Sequence, residues 1–201
     1  MKIFKFGGAS VKDVAGVKNL VSVLNTVGQQ KTLIVVSAMG KTTNMLEKII
    51  DEYFKSKEQT PPGFFSLKQF HIDIVKGLFE AQSAELEEVI HNLFEDLLSF
   101  LKSNKSPNYS FVYDQVVSYG ELLSTTIIHY YLKHKGLESH WLDARNCVKT
   151  DDYYRAANLN WELTQKNIID QVGTKPLVVT QGFIGSNSNN FTTTLGREGS
   201  D

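Results

Sequence analysis

The chain has 201 residues, 41% of them hydrophobic and 21% charged, and its 21 Lys and Arg against 22 Asp and Glu leave a net charge of −1. This composition excludes a disordered chain, and the balance of charge argues against a nucleic-acid binder that depends on bulk positive charge. Because Cys147 is the single cysteine and no signal peptide precedes the first motif, we expect a reducing, cytoplasmic setting. The apolar runs are far shorter than the roughly 20 residues that span a bilayer, so no membrane partner is expected.

The first 36 residues predict a βαβ unit. Lys2–Phe6 is predicted as a strand and is followed by two glycines. Apolar residues at helical spacing from Val11 then predict a helix, with Ser10 and Asp13 at its start. Thr32–Val36 is an apolar, β-branched run, typical of a strand buried on both faces. A unit of this kind implies a parallel sheet with a right-handed crossover.

The remainder of the sequence predicts four consecutive helices, then a strand, a helix and a strand. Helices are expected over 44–54, with Glu47 in a capping box, and over 64–79, 86–101, 116–134 and 160–172; strands are expected over 138–142 and 176–180. Residues 182–188 are predicted as a loop and 190–194 as an edge strand or hairpin arm. The helical stretch 64–103 is interpreted as an elaboration packed against an α/β core.

The glycine turn after the first strand is the first candidate site. Gly7 and Gly8 would let backbone N–H groups approach a phosphate, a helix start at Ser10 would add positive potential, and Lys5 could supply an ammonium group. The alternative is an ordinary glycine turn beside a surface lysine. A dinucleotide fingerprint is excluded, because G-x-G-x-x-G is absent here.

Hydroxyl side chains follow the second buried strand. Ser37, Thr42 and Thr43 lie between that strand and the next predicted helix. Ligands of open α/β sheets bind at the carboxyl ends of the strands, so these hydroxyls could contact a ligand. Ordinary helix N-capping is the alternative.

Two further motifs carry charge. Ser118 and Glu121 have capping-box spacing, but Glu121 could instead bind a ligand ammonium, and Gly120 indicates a close approach to some group. Near the other end, Arg197 stands between glycines, where it could hold a carboxylate through two hydrogen bonds. Ser200 and Asp201 follow it and could add a hydroxyl contact and a charge that organises phosphate or Mg²⁺. A solvated turn is the alternative for this last motif.

Taken together, these motifs resemble the aspartokinases of the amino-acid kinase superfamily. The resemblance rests on Lys5-Phe-Gly-Gly-Ala-Ser, Val36-Ser-Ala with Thr43-Asn, Ser118-Tyr-Gly-Glu-Leu-Leu-Ser, and Thr193-Thr-Leu-Gly-Arg-Glu-Gly-Ser-Asp. It extends over essentially the whole chain. The sequence departs from the usual motifs at Ala9, where the family has Thr, and at Glu198, where the family has Gly.

The resemblance implies an α/β fold, an αβα sandwich with a mainly parallel central sheet and extra helices around 64–103. It implies transfer of the ATP γ-phosphoryl group to the side-chain carboxylate of L-aspartate, with Mg²⁺ as cofactor and 4-phospho-L-aspartate as product. The phosphoryl site would contain Lys5, Gly7, Gly8 and Ser10, with Asp201 organising the transfer. No protein side chain is predicted as a metal ligand.

The resemblance also implies an aspartate pocket. Glu121 would bind the α-ammonium group and Arg197 the α-carboxylate. The other predicted lining residues are Ser37, Thr43, Phe183 and Ser200.

Residues 1–201 are expected to form the amino-acid-binding part of the catalytic domain, without the nucleotide lobe and the ACT-type regulatory domains of the family. The chain alone is therefore expected to be inactive, and the complete protein is expected to be a homo-oligomer. The alternatives are a non-catalytic substrate-binding fragment or another amino-acid kinase, such as an acetylglutamate or glutamate kinase.

Overall fold

A four-stranded parallel sheet forms the centre of the computed structural model, which describes residues 1–56 and 60–196. The strands are β1 (Lys2–Phe6), β2 (Thr32–Val36), β3 (His140–Leu142) and β4 (Leu177–Gln181), and their order across the sheet is β1-β2-β4-β3. Apolar, β-branched sequence dominates β2 and β4, which occupy the two central positions and are the strands most enclosed by neighbours. The parallel sheet confirms the predicted fold class.

Eight α-helices accompany these strands in the described residues. They are α1 (Val14–Val27), α2 (Thr42–Lys55), α3 (Gly63–Phe79), α4 (Ala84–Ser103), α5 (Tyr109–Val117), α6 (Tyr119–His134), α7 (Ala144–Cys147) and α8 (Trp161–Val172). A 3₁₀ turn, Glu80–Gln82, joins α3 to α4. Two short strands, β5 (Ile184–Ser186) and β6 (Thr192–Thr194), form an antiparallel hairpin after β4.

The two faces of the sheet are covered unequally. Alternate strand residues such as Ile34 and Val179 join one large core, to which helices α1–α6 contribute. The intervening residue Val178 faces a smaller cluster with Cys147 of α7 and Val172 of α8. The period of two along each strand therefore produces three layers, helices on sheet on helices. The predicted elaboration over 64–103 packs into the large core, as expected.

Three details of the helices differ from the sequence predictions. The first helix begins at Val14, because the Asp13 side chain accepts a hydrogen bond from Gly16 N and caps it there. The helix expected over 116–134 is α6, which begins at Tyr119, and the preceding helix α5 was not predicted. The Glu47 capping box is also wrong, because α2 begins at Thr42 with Lys41 as its N-cap and has no side-chain capping hydrogen bond. The Glu47 carboxylate accepts a hydrogen bond from the Tyr113 hydroxyl at 2.9 Å.

The segment after β4 also differs in detail. Part of the predicted loop 182–188 is strand β5, and the predicted hairpin arm is β6, its antiparallel partner. The register pairs Ile184 with Thr194 and Ser186 with Thr192. This hairpin carries the chain toward residues 197–201, which lie outside the described residues.

Two adjacent aromatics test how α3 packs. Phe64 is 1% exposed and meets Phe94 of α4 edge-to-face at 5.5 Å, whereas Phe65 is 64% exposed. Phe64→Ala should lower the free energy of unfolding by about 3–5 kcal/mol, because it leaves a cavity in the main core. Phe65→Ala should change it by less than about 0.5 kcal/mol. Urea denaturation of both variants measures the difference, and equal losses would contradict this packing.

Candidate functional site

Three of the parallel strands end at the same level. The register aligns Phe6 of β1 with Val36 of β2, and Val36 with Gln181 of β4. The ladder extends one step further, where Ser37 N donates to Phe6 O at 3.0 Å. The segments that follow these strands therefore leave one carboxyl edge of the sheet together, which is where open α/β sheets bind ligands.

The two glycines after β1 have different surroundings. A Cβ atom on Gly8 would lie 2.5 Å from the carbonyl oxygen of Ala38, so the neighbouring loop leaves no room for a side chain. The same loop is tied on by a hydrogen bond from Gly40 N to Gly8 O, 2.9 Å long. A Cβ on Gly7 would meet nothing within 4 Å. Gly8 is thus required by packing, while Gly7 borders open space that a ligand could use.

Helix α1 begins later in the sequence than expected from the glycine turn. Ser10 is exposed, its N–H donates to Gly7 O at 2.9 Å, and the helix begins only at Val14. Asp13 also satisfies one of the first amide groups of the helix. The helix start expected at Ser10 is therefore wrong, since α1 begins four residues later.

Glu121 lies in the first turn of α6 and is 3% exposed. Its Oε2 atom accepts hydrogen bonds from the backbone N–H groups of Gly182 and Phe183, both at 2.9 Å. The hydroxyl of Ser118 donates to Gln115 O instead. The capping-box interpretation of Ser118 and Glu121 is therefore wrong, because the carboxylate points across to the end of β4.

Burial raises the pKa of Glu121 to about 7, while the two backbone N–H groups and the nearby charge of Lys5 lower it. A carboxyl group with this balance changes charge near neutral pH. Each carboxylate oxygen can accept more than one hydrogen bond, and both backbone donors use Oε2. A cationic ligand group at this edge of the sheet would lower the pKa of Glu121 and favour its ionised form.

Gly120 explains how α6 comes so close to the loop after β2. A Cβ atom on Gly120 would lie 2.9 Å from the Ala38 side chain and 3.3 Å from that of Thr42. The close approach indicated by this glycine is thus to protein atoms of the loop. It brings the turn that holds Glu121 against the segment that carries Ser37 and Thr43.

The predicted site residues fall into three sets. Lys5, Gly7, Gly8, Ser37, Glu121 and Phe183 lie on segments at the common carboxyl edge. Thr43 is half-buried inside the first turn of α2, whose N-cap is Lys41, so Thr43 is not the capping residue. Arg197, Ser200 and Asp201 lie outside the described residues.

Sequence reasoning missed Gln181, the last residue of β4. Its side chain accepts a hydrogen bond from Ala144 N and donates one to Thr125 Oγ1, both at 2.7 Å. The Thr125 hydroxyl in turn donates to Glu121 O at 2.7 Å. A buried amide at the end of an otherwise apolar strand was the available signal, since such a group must find partners.

Within the part of the chain that the structure describes, no three His, Cys, Asp or Glu side chains come together as a metal-binding group. In the same residues, no helix has both the length and the apolar character that a bilayer-crossing segment requires.

A model of the amino acid kinase family matches residues 1–201. The chain belongs to the amino acid kinase family. It is 32% identical over 206 residues to the bifunctional aspartokinase/homoserine dehydrogenase 2 of Escherichia coli strain K12, an alignment that covers all of this chain and 25% of that protein. The family resemblance drawn from the motifs is therefore confirmed.

Two solved structures of E. coli aspartokinase III share the fold of this family member. The complex with lysine and aspartate has a TM-score of 0.85 at 26% identity. The complex with aspartate and ADP has a TM-score of 0.84 at 27% identity. Each comparison covers all of this chain and 44% of the solved chain, so the chain spans under half the length of these relatives.

Substitution by alanine should affect stability differently at Gly7 and Gly8. Gly8→Ala should lower the free energy of unfolding by about 1–3 kcal/mol, because the new methyl group overlaps Ala38 O. Gly7→Ala should leave stability within about 1 kcal/mol of the parent chain, since its methyl group enters open space. Urea denaturation compares the two variants, and a greater loss at Gly7 would contradict the described loop.

Glu121 also predicts a pH dependence of stability. Its pKa is about 7 in the folded protein against 4.5 for an ordinary glutamate, so the folded chain holds a proton that the unfolded chain releases. The contribution of Glu121 to the free energy of unfolding is fully present below about pH 4.5. It is lost as pH rises to about 7, a change on the order of 3 kcal/mol. Glu121→Gln keeps an acceptor for both N–H groups but removes the titration.

We therefore expect the stability of Glu121→Gln relative to the parent chain to increase as pH rises from about 4.5 to about 7. Chemical denaturation at a series of pH values measures this difference. Glu138→Gln, a change at an exposed carboxylate, is the matched control and should show no such trend. A constant difference between the Glu121→Gln and parent chains across the range would contradict the buried environment of Glu121.

Proposed function

We propose that residues 1–201 are the amino-acid-binding part of an aspartokinase catalytic domain. The proposed reaction transfers the γ-phosphoryl group of ATP to a side-chain oxygen of L-aspartate, releasing ADP and forming 4-phospho-L-aspartate. The observation that carries the proposal is the meeting of Glu121, Lys5 and the glycine loop at one sheet edge. The similarity to aspartokinases over the whole chain supports the same acceptor.

The phosphoryl site is proposed to form around the end of β1. Lys5 would neutralise charge on the transferring group, while the N–H groups of Gly7 and Gly8 and the hydroxyl of Ser10 would contact phosphate oxygens. The open space beside Gly7 supports this assignment, because a phosphate needs close access to the backbone. Phosphoryl transfer depends mainly on alignment and charge neutralisation, so no covalent protein intermediate is needed.

The aspartate pocket is proposed to lie beside it. Glu121 would bind the α-ammonium group, and the partly buried Ser37, Thr43 and Phe183 would line the pocket. An ammonium group at Glu121 would oppose the effect of burial and hold the carboxylate ionised. Arg197 would bind the α-carboxylate through two hydrogen bonds, with Ser200 alongside it.

Mg²⁺ is proposed to enter with the nucleotide. It would be held chiefly by phosphate oxygens and water. When bound, Mg²⁺ neutralises phosphate charge. Asp201 would help to organise this end of the site, next to Ser200 in the sequence.

The rest of the proposal concerns the complete protein. It would be a cytoplasmic homo-oligomer in which a nucleotide lobe and regulatory domains accompany these residues. The reaction would be the first step toward the amino acids that derive from aspartate, including lysine and threonine.

Another amino-acid kinase activity is the second candidate, because the matching family model covers amino acid kinases in general. An acyl-phosphate product can be trapped with hydroxylamine and measured as a hydroxamate. The complete protein should form hydroxamate with ATP, Mg²⁺ and L-aspartate, and much less with glutamate or N-acetylglutamate. Preference for either of those acceptors would replace the aspartokinase proposal, and no turnover with any acceptor would end the kinase proposal.

The same assay tests the alternative of a non-catalytic binding fragment. The isolated 201-residue chain should give no turnover, because the proposed nucleotide lobe is not part of it. Robust turnover by this chain would show that these residues contain a complete catalytic unit and would overturn the proposed domain assignment.

Two charge-removing variants of the complete protein separate the proposed roles. Lys5→Ala should lower kcat by about 100-fold or more, since it removes charge stabilisation of the transferring group. Arg197→Ala should chiefly raise KM for aspartate, by about 10- to 100-fold, because the α-carboxylate loses a charged partner. Steady-state kinetics measure both, with Lys18→Ala on the exposed side of α1 as a control. An unchanged kcat would remove Lys5 from the phosphoryl site.

A further inference from the structure

Asp114 is a second buried carboxylate to which the proposed mechanism assigns no role. It lies on α5 and is 0% exposed. In the described part of the chain, Asp114 and Glu121 are the two acidic side chains that are buried. A buried carboxylate is costly unless hydrogen bonds compensate it, so its partners indicate what it holds in place.

The partners of Asp114 come from two distant segments. Thr194 of β6 donates from its backbone N–H to Oδ2 at 2.9 Å and from its hydroxyl to Oδ1 at 2.8 Å. Arg155, in the loop before α8, donates its backbone N–H to both oxygens at 3.0 and 3.1 Å. One side chain thus fixes both β6 and residue 155 to α5.

Further contacts hold residues 192–196 against α5 and the backbone at Arg155. Gln115 exchanges two hydrogen bonds with the backbone of Thr192, at 2.8 and 3.3 Å, so α5 holds β6 at both ends. The Arg155 guanidinium lies 4.5 Å from the centre of the Tyr113 ring. Gly196 has φ +88°, and a Cβ there would lie 3.3 Å from Arg155 O. Residues 192–196 are therefore guided by α5 and by the backbone at Arg155.

This arrangement links the two proposed contacts to the amino acid. Helix α5 leads through Ser118 directly into α6, which carries Glu121. Strand β6 leads directly toward Arg197 in the sequence. Whatever holds β6 to α5 consequently sets the segment before Arg197 relative to the turn that carries Glu121.

We propose that Asp114 is a positioning residue for amino-acid binding, holding β6 so that Arg197 and Glu121 engage the two ends of the same substrate backbone. This inference rests on the proposed aspartokinase function. Asp114 itself touches no substrate; its carboxylate accepts hydrogen bonds from Thr194 and Arg155, and its effect on aspartate passes through Arg197.

The test is steady-state kinetics of the complete protein with aspartate and ATP varied separately. Asp114→Asn replaces one acceptor oxygen by an NH₂ group that faces N–H donors, so KM for aspartate should rise about 10-fold. KM for ATP should change by less than about twofold. Thr194→Val removes only the hydroxyl donor and should raise KM for aspartate by about threefold, which provides a milder variant if Asp114→Asn folds poorly.

A double-mutant comparison distinguishes positioning from general stability. In an Arg197→Ala background, Asp114→Asn and Thr194→Val should raise KM for aspartate little further, because both act through the residue already removed. The exposed Asp170→Asn on α8 is the matched carboxylate control and should leave both KM values unchanged.

The kinetic results distinguish a positioning role of Asp114 from a purely structural one. If the unmodified protein phosphorylates aspartate but both variants change the two KM values equally, or only lower the melting temperature, the positioning role is overturned. Full additivity with Arg197→Ala overturns it as well. If the unmodified protein phosphorylates no aspartate, the proposed function fails first, and the role of Asp114 fails with it.

Discussion

A carboxylate buried at the start of α6 joins that helix to the end of β4. Glu121 receives the N–H groups of Gly182 and Phe183, which leave the sheet just where the parallel ladder ends. Those two amides would otherwise be donors without a strand partner, and an unpaired buried donor costs about as much as a lost hydrogen bond. The helix position, the exit of β4 and the start of the hairpin are therefore set by one ionisable group.

The same principle recurs one helix earlier. Asp114 receives backbone donors from Thr194 and Arg155, as Glu121 does from the segment after β4. In both cases a helix supplies a charged acceptor and a later loop or strand supplies the donors. Burial raises the pKa of both carboxyl groups, to about 6 for Asp114 and about 7 for Glu121, while the N–H donors oppose that effect. The site is thus organised by charge placed inside the fold as well as by apolar packing.

Sequence patterns predicted the strands of the parallel sheet and most helices because their signals are local. The continuous apolar runs of β2 and β4 and the helical spacing over 64–103 depend on neighbours a few residues away. Helix α5 was missed because its nine residues are too few to show a clear helical period. The Ser-x-x-Glu spacing offered a local partner that the structure does not use. Glu121 was identified as a candidate, but its actual partners lie some sixty positions away, beyond the reach of a local pattern. Asp114 gave no signal at all, since a single acidic residue in a helix usually faces solvent.

The strand order has a consequence for how the chain folds. Strand β2 pairs on one side with β1, close to it in sequence, and on the other with β4 at residues 177–181. During synthesis from the N-terminus, the βαβ unit and all of α2–α6 are made before β4 exists. One edge of an apolar central strand therefore stays open until β4 is made, a condition that favours slow, late closure of the sheet and exposes the edge to other chains. Early packing of the large helical layer onto β1 and β2 would limit that exposure, which gives the additional helices a part in folding besides their part in the native core.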